Sequence, residues 1–267
     1  MEISNLVFPA LSLGGLGLVF GVLLGYASKK FEVEVDPQVP LIREALPGAN
    51  CGGCGFAGCD AFAQAVVDGA AQPNACSVGG AAVAEKIGEI LGVSVDTTEK
   101  NIAFVKCNGD CQSSKDKYHY SSSLSCLEAS MLPGEGAKSC SYGCLGLGSC
   151  VKVCKFDALH IVNGIAKVDE TKCTACGACV NICPKNLIEL VPESKKVRVS
   201  CNSKDKGKDV RENCSAGCIG CRLCEKNCAD NAVHITDNLA KIDYDKCTMC
   251  GNCVLKCPTK AIKSLLS

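Results

Sequence analysis

Cysteine is the residue type that carries the chemistry of this chain: 25 of its 267 residues. Twice the chain reads C-x2-C-x2-C-x3-C-P, at Cys173, Cys176, Cys179, Cys183 and at Cys247, Cys250, Cys253, Cys257. Thiolates at every third residue suit a loop bending round one [4Fe–4S] cubane, and the fourth reaches the other cluster of a pair. The proline that follows stops a helix from starting early and turns the chain. Zinc is the competing occupant. Structural zinc takes four ligands, usually as C-x2-C pairs, and has no need of this run.

An internal repeat supplies more thiols. CSYGCLGLGSCVKVC (140–154) and CSAGCIGCRLCEKNC (214–228) share cysteines at offsets 0, 4, 10 and 14. The crossover rule, applied residue by residue, groups them into four clusters. In the first copy these are Cys140, Cys144, Cys150 with Cys183, and Cys173, Cys176, Cys179 with Cys154. In the second they are Cys218, Cys221, Cys224 with Cys257, and Cys247, Cys250, Cys253 with Cys228. The first of these sets departs from the pattern: its spacing is longer, and Leu147 stands where the second copy has Cys221. Upstream, Cys51, Cys54, Cys59 and Cys76 read as the ligands of a fifth cluster, with a four-thiolate zinc site as the alternative. Five thiols remain: Cys107, Cys111, Cys126, Cys201 and Cys214. A sixth cluster is expected on Cys107, Cys126, Cys201 and Cys214, leaving Cys111 spare. Buried free cysteines are the alternative.

The elements that must hold these loops are small. Val83, Ile87, Ile90 and Leu91 mark one face of an amphipathic helix beside the upstream set. Each repeat carries two short strands around a turn, at Asn163-Gly164 and Asp237-Asn238. Residues 108–139 are rich in Ser and Gly and read as loop. Units of this size need internal staples, and Trp is absent, so the clusters are expected to serve as cores. His160 and His234 fall at equivalent strand positions and read as structural residues, not ligands. Net charge is zero, which argues against a nucleic-acid binder.

Residues 3–28 carry no charged side chain and are long enough to span a bilayer as a helix. Lys29 and Lys30 follow, which places the rest of the chain on the cytoplasmic side. A cleaved signal peptide fits poorly, since no Lys or Arg precedes the apolar stretch. Gly17, Gly21 and Gly25 could pack against another helix or be ordinary membrane-helix glycines. Thiols in a reducing compartment favour metal over disulfides.

The N-terminal apolar helix, the CGGCGFAGC segment with Cys76, CSYGCLGLGSC and KCTACGACVNICP together resemble the B subunits of the Rnf complex, over essentially the whole chain. That complex is the membrane-bound, ion-translocating ferredoxin:NAD+ oxidoreductase of bacteria. The second repeat resembles the extended form of clostridia-like anaerobes. The resemblance implies an α+β chain in five parts. A membrane anchor (1–30) leads into a small helical four-cysteine domain (31–106) and a connector (107–139). Two tandem ferredoxin-like modules follow (140–200 and 201–267). It implies five or six [4Fe–4S] clusters, with electrons taken from soluble reduced ferredoxin and relayed to the other membrane and peripheral subunits. That transfer would be coupled to Na+ or H+ transport. Neither a phosphate-cradling loop nor paired catalytic carboxylates are found, so NAD+ reduction is expected on another subunit. The competing reading is an anchored polyferredoxin serving another oxidoreductase or hydrogenase. A corrinoid-protein partner is weaker, because no barrel-length region is present.

Overall fold

The computed structural model describes residues 4–31, 36–95, 99–120 and 122–265. Residues 1–3, 32–35, 96–98, 121 and 266–267 lie outside them. Helix α1 (Ser4–Lys30) ends on Lys29 and Lys30, which complement the negative end of its dipole. Side chains are described from residue 13 onward, and among the described residues no helix is long and apolar enough to cross a membrane. Leu16, Leu18, Phe20, Val22, Leu23 and Leu24 are all exposed and touch no core of this chain.

Three helices form the next unit: α2 (Gln38–Ala45), α3 (Cys59–Val67) and α4 (Gly80–Leu91). Ile42, Phe62 and Ile87 are fully buried between them, and Val83, Ile90 and Leu91 pack against that core. Burying each such side chain contributes about 1.5–3 kcal/mol.

The rest of the chain is two copies of one small α+β module. In the first, strand β1 (Asn101–Val105) precedes a long connector that contains helix α5 (Cys126–Met131). Then come α6 (Ser149–Lys152), the hairpin β2 (Leu159–Val162) and β3 (Ile165–Val168), α7 (Ala178–Ile182) and β4 (Ile188–Pro192). The second copy runs β5 (Val197–Val199), α8 (Gly207–Asn213), α9 (Leu223–Lys226), β6 (Val233–Thr236), β7 (Leu239–Ile242), α10 (Asn252–Leu255) and β8 (Ile262–Ser264). Both hairpins turn on residues with positive φ, Asn163-Gly164 and Asp237-Asn238, as the right-handed twist of two-residue turns requires.

The outer strands place the module boundaries differently from the sequence grouping. β1 pairs antiparallel with β4, Val105 opposite Ile188, so it closes the first module instead of ending the four-cysteine domain. β5 pairs with β8, Val199 opposite Ile262. Each module is thus a chain segment whose first strand meets its last. The apolar core of the first includes Cys107, Cys144, Cys150, Cys173 and Cys179. That of the second includes Cys201, Cys218, Cys224 and Cys253.

The modules face each other through equivalent positions. Phe104 on β1 and Arg198 on β5 occupy the same place in their strands, and the guanidinium lies 5.3 Å from the ring centre. Arg198 is 1% exposed. Its Nη1 donates to Glu170 at 2.8 Å, across the module boundary.

Candidate metal centres

The cysteines gather in sets of four. Cys51 and Cys54 lie on the loop before α3, Cys59 is its first residue, and Cys76 follows a 3₁₀ turn. All four line one cavity, together with Leu46, Phe62 and Val78. The Asn50 side chain fixes the loop by accepting from the Cys59 N–H at 2.8 Å. Burial pushes the Cys76 thiol up, and Cys54, Cys59 and Cys51 push in the same direction.

Cys154, Cys173, Cys176 and Cys179 line a second cavity. Burial raises the Cys179 thiol to about 11, reinforced by Cys173, Cys176 and Cys154. Cys173 Sγ accepts from the Ala103 N–H at 3.3 Å, and Cys154 Sγ from Ala158 at 3.4 Å. In the second module, burial pushes Cys224 up to about 11, with Cys218, Cys221 and Cys257 beside it. Cys247 and Cys250 flank Cys253 in the same way. Cys228 Sγ accepts from Ala232 at 3.3 Å, as its counterpart Cys154 does from Ala158.

Two remaining sets differ from the spacing-based grouping by one exchange. Cys126, not Cys140, joins Cys144, Cys150 and Cys183 around a cavity. Burial pushes Cys150 up to about 12, with Cys144, Cys126 and Cys183 adding to it. Cys140 instead lies with Cys107, Cys201 and Cys214 around a cavity between the modules. The physical reason is the connector. It is not all loop: Ser125 caps α5 through a capping box with Glu128, and the Cys126 N–H donates to Ser149 Oγ at 2.9 Å. That helix delivers Cys126 into the gap left by Leu147. Ser125-x-x-Glu128 is a readable helix-start signal. The matching offsets of Cys140 and Cys214 likewise signal a shared role.

Four thiols are a donor set for iron–sulfur clusters or for zinc. Among the described residues no group of three or more His, Cys, Asp or Glu side chains is arranged to hold a single metal ion. The thiols of each cavity-lining set border one common space, which fits a [4Fe–4S] cluster held at its corners. The histidines stand apart from these sets: His160 and His234 are exposed beside Asp157 and Glu225. Cys111 is exposed and joins no set; its N–H donates to Asn163 O.

The sets adjoin one another. A Cβ on Gly53, between Cys51 and Cys54, would lie 2.7 Å from Cys176 O. Only glycine lets the first loop sit this close to the second set. The Cys144 N–H donates to Cys107 Sγ at 3.3 Å, and the Cys218 N–H to Cys201 Sγ at 3.2 Å. Donors of this kind to sulfur raise cluster potentials and fix ligand orientation.

Known proteins share these features. A family model described as an Fe-S cluster region matches residues 46–78. One described as a 4Fe-4S binding domain matches 166–189 and 240–263. The B subunit of the Na(+)-translocating ferredoxin:NAD(+) oxidoreductase complex of Acetobacterium woodii is 48% identical over 97% of this chain and 78% of its own. The B subunit of the ion-translocating oxidoreductase complex of Methanosarcina acetivorans is 48% identical over 97% of this chain and 98% of its own. The B subunit of the proton-translocating ferredoxin:NAD(+) oxidoreductase complex of Clostridium ljungdahlii is 46% identical over 94% of this chain and 90% of its own. Cysteine sets on two duplicated modules and a four-cysteine domain, together with likeness over nearly the whole length of these relatives, place the chain in the family of B subunits of ion-translocating oxidoreductase complexes.

Proposed function

We propose that the chain carries electrons from reduced ferredoxin to the other subunits of an ion-translocating ferredoxin:NAD+ oxidoreductase, in a reaction coupled to Na+ or H+ transport. The observation that carries this reading is the succession of adjoining four-cysteine sets. Five of them hold [4Fe–4S] clusters: Cys51, Cys54, Cys59, Cys76; Cys154, Cys173, Cys176, Cys179; Cys126, Cys144, Cys150, Cys183; Cys218, Cys221, Cys224, Cys257; and Cys228, Cys247, Cys250, Cys253. When bound, such clusters supply one-electron exchange at potentials set by cluster type, hydrogen bonding and exposure. The chain's own part is to hold the thiolates, direct N–H groups at sulfur and bring neighbouring sets together. Cys221 and Cys250 in the last module are exposed, which suits acceptance of electrons from a soluble donor there. The four-cysteine set lies nearest in sequence to α1 and suits delivery at the membrane. NAD+ is reduced on another subunit.

Helix α1 anchors the chain, with the modules on the cytoplasmic side. Its exposed leucines and Phe20 surround the helix, and a helix apolar on all sides requires lipid or neighbouring helices. The lysines at its end support this orientation. Deletion of the gene should abolish ferredoxin-dependent NAD+ reduction in membrane vesicles, and restoring it should return the activity. Undiminished activity in the deletion strain would overturn the proposal.

A further inference from the structure

We infer that Cys107, Cys140, Cys201 and Cys214 hold one more [4Fe–4S] cluster, shared equally between the two modules and joining their clusters into one unbroken series. The inference rests on the reading that the other four-cysteine sets hold such clusters.

The donors come in equivalent pairs. Cys107 and Cys201 each stand two residues beyond the last residue of β1 and β5. Cys140 and Cys214 hold the same position in the two repeats. Sγ of Cys107 accepts from the Cys144 N–H, and Sγ of Cys201 accepts from Cys218, again equivalent residues. Phe104 against Arg198 is a contact between equivalent positions on the same strand pair. Two copies of a module related in this way bring two thiols each to the boundary, and four thiols complete a cubane's ligand set.

The pocket has the character of the others. All four cysteines line it, and Cys107, Cys201 and Cys214 are buried. A Cβ on Gly109 would lie 3.1 Å from Cys214 Sγ and 3.8 Å from Cys107 Sγ, so these two sulfurs face the same spot and a side chain there would crowd Cys214. A buried cation stands alongside. Lys138 is 8% exposed, and its ammonium donates to Gly109 O at 2.7 Å and Gly164 O at 2.9 Å. Asp110 and the Cys144 and Cys214 thiols lie around it. Taking an ammonium out of water demands compensating negative charge. Thiolate-bound clusters on both sides provide it.

The position explains why the set exists. Cys144 belongs to the first module's cavity and touches Cys107 through its N–H. Cys218 does the same for the second module and Cys201. A cluster here stands between the sets of the two modules. One electron passes at a time, the reduced neighbour being oxidised as the next is reduced.

Iron and acid-labile sulfide in the anaerobically purified full chain test the inference, in a Cys111→Ser background so that no spare thiol substitutes. The parent should hold about 24 irons, and Cys214→Ala should lose about four. Adding Cys140→Ala should cost no further iron, because both residues serve one site. Adding Cys126→Ala instead should remove about four more. Iron unchanged by Cys214→Ala, or a further loss with Cys140→Ala but none with Cys126→Ala, would overturn the assignment. If the variants fail to accumulate, the parent decides alone: about 20 irons rejects this site and leaves the other five standing. A parent that binds zinc and no iron rejects the whole iron–sulfur reading.

Discussion

In the second module Cys218, Cys221 and Cys224 follow one another on a single turn of chain. In the first, Leu147 separates Cys144 from Cys150, and the missing thiol arrives as Cys126 on α5. The cavities serve equivalent positions, yet one is built locally and the other needs a connector folded as a capped helix. The comparison teaches that a ligand set is kept as a shape in space and not as a string. The connector that supplies Cys126 also supplies Lys138 and the Ser114 bridge to Cys214, so it fastens the first module to the second.

The largest test of this comparison exchanges one solution for the other. Cys126→Ala should remove one cluster, about four irons, from the first module. Adding Leu147→Cys recreates the C-x2-C-x2-C spacing of the second module and should restore them. Iron analysis and visible absorption read both steps; a Cys126→Ala chain with full iron would show that the helix-borne thiol is not a ligand.

A smaller effect separates the modules at their boundary. Glu170 in the first module is replaced at the equivalent place in the second by Tyr244, whose hydroxyl burial pushes up to about 12. Burial raises the Glu170 carboxyl, but hydrogen bonds and charge from Lys196 and Arg198 outweigh it and hold the carboxyl below its ordinary range. Its contribution is therefore complete above the ordinary carboxylate pKa and is lost as pH falls through the lowered one. Glu170→Gln leaves buried Arg198 without its counter-charge and should cost about 3 kcal/mol at neutral pH. Denaturant unfolding at neutral pH and at pH below the ordinary carboxylate pKa checks this: the gap between the native and variant chains should narrow at the lower pH.

The smallest effect falls on the cap. Ser125→Ala removes the acceptor for the Glu128 N–H and should destabilise the chain by about 1 kcal/mol. Its mark should be faster iron loss from the first module's Cys126 site under a chelator, with the second module's clusters unaffected. Equal acceleration at both would contradict the assignment of Cys126.

The regular runs were legible because a cluster loop writes its geometry as spacing: Cys173 to Cys183 and Cys247 to Cys257 need no other element to be recognised. The hairpins were legible from Asn163-Gly164 and Asp237-Asn238, and α4 from Val83, Ile87, Ile90 and Leu91. Cys126 and Cys140 line each other's expected cavities because each meets its neighbours across a long stretch of chain, where spacing carries no information. Repeat symmetry was the available clue. Once Cys221 freed Cys214 from its own loop, Cys140 at the same offset was free too. β1 was grouped with the helical domain for a similar reason, since its partner β4 lies far along the chain.

Native mass spectrometry of the anaerobically prepared full chain, after alkylation of accessible thiols, tests the central claim most directly. The account predicts six [4Fe–4S] masses per chain, about 24 irons, and one alkylated cysteine, Cys111. Five cluster masses with alkylation reaching Cys107, Cys140, Cys201 or Cys214, or four-thiolate zinc masses in place of clusters, would contradict it.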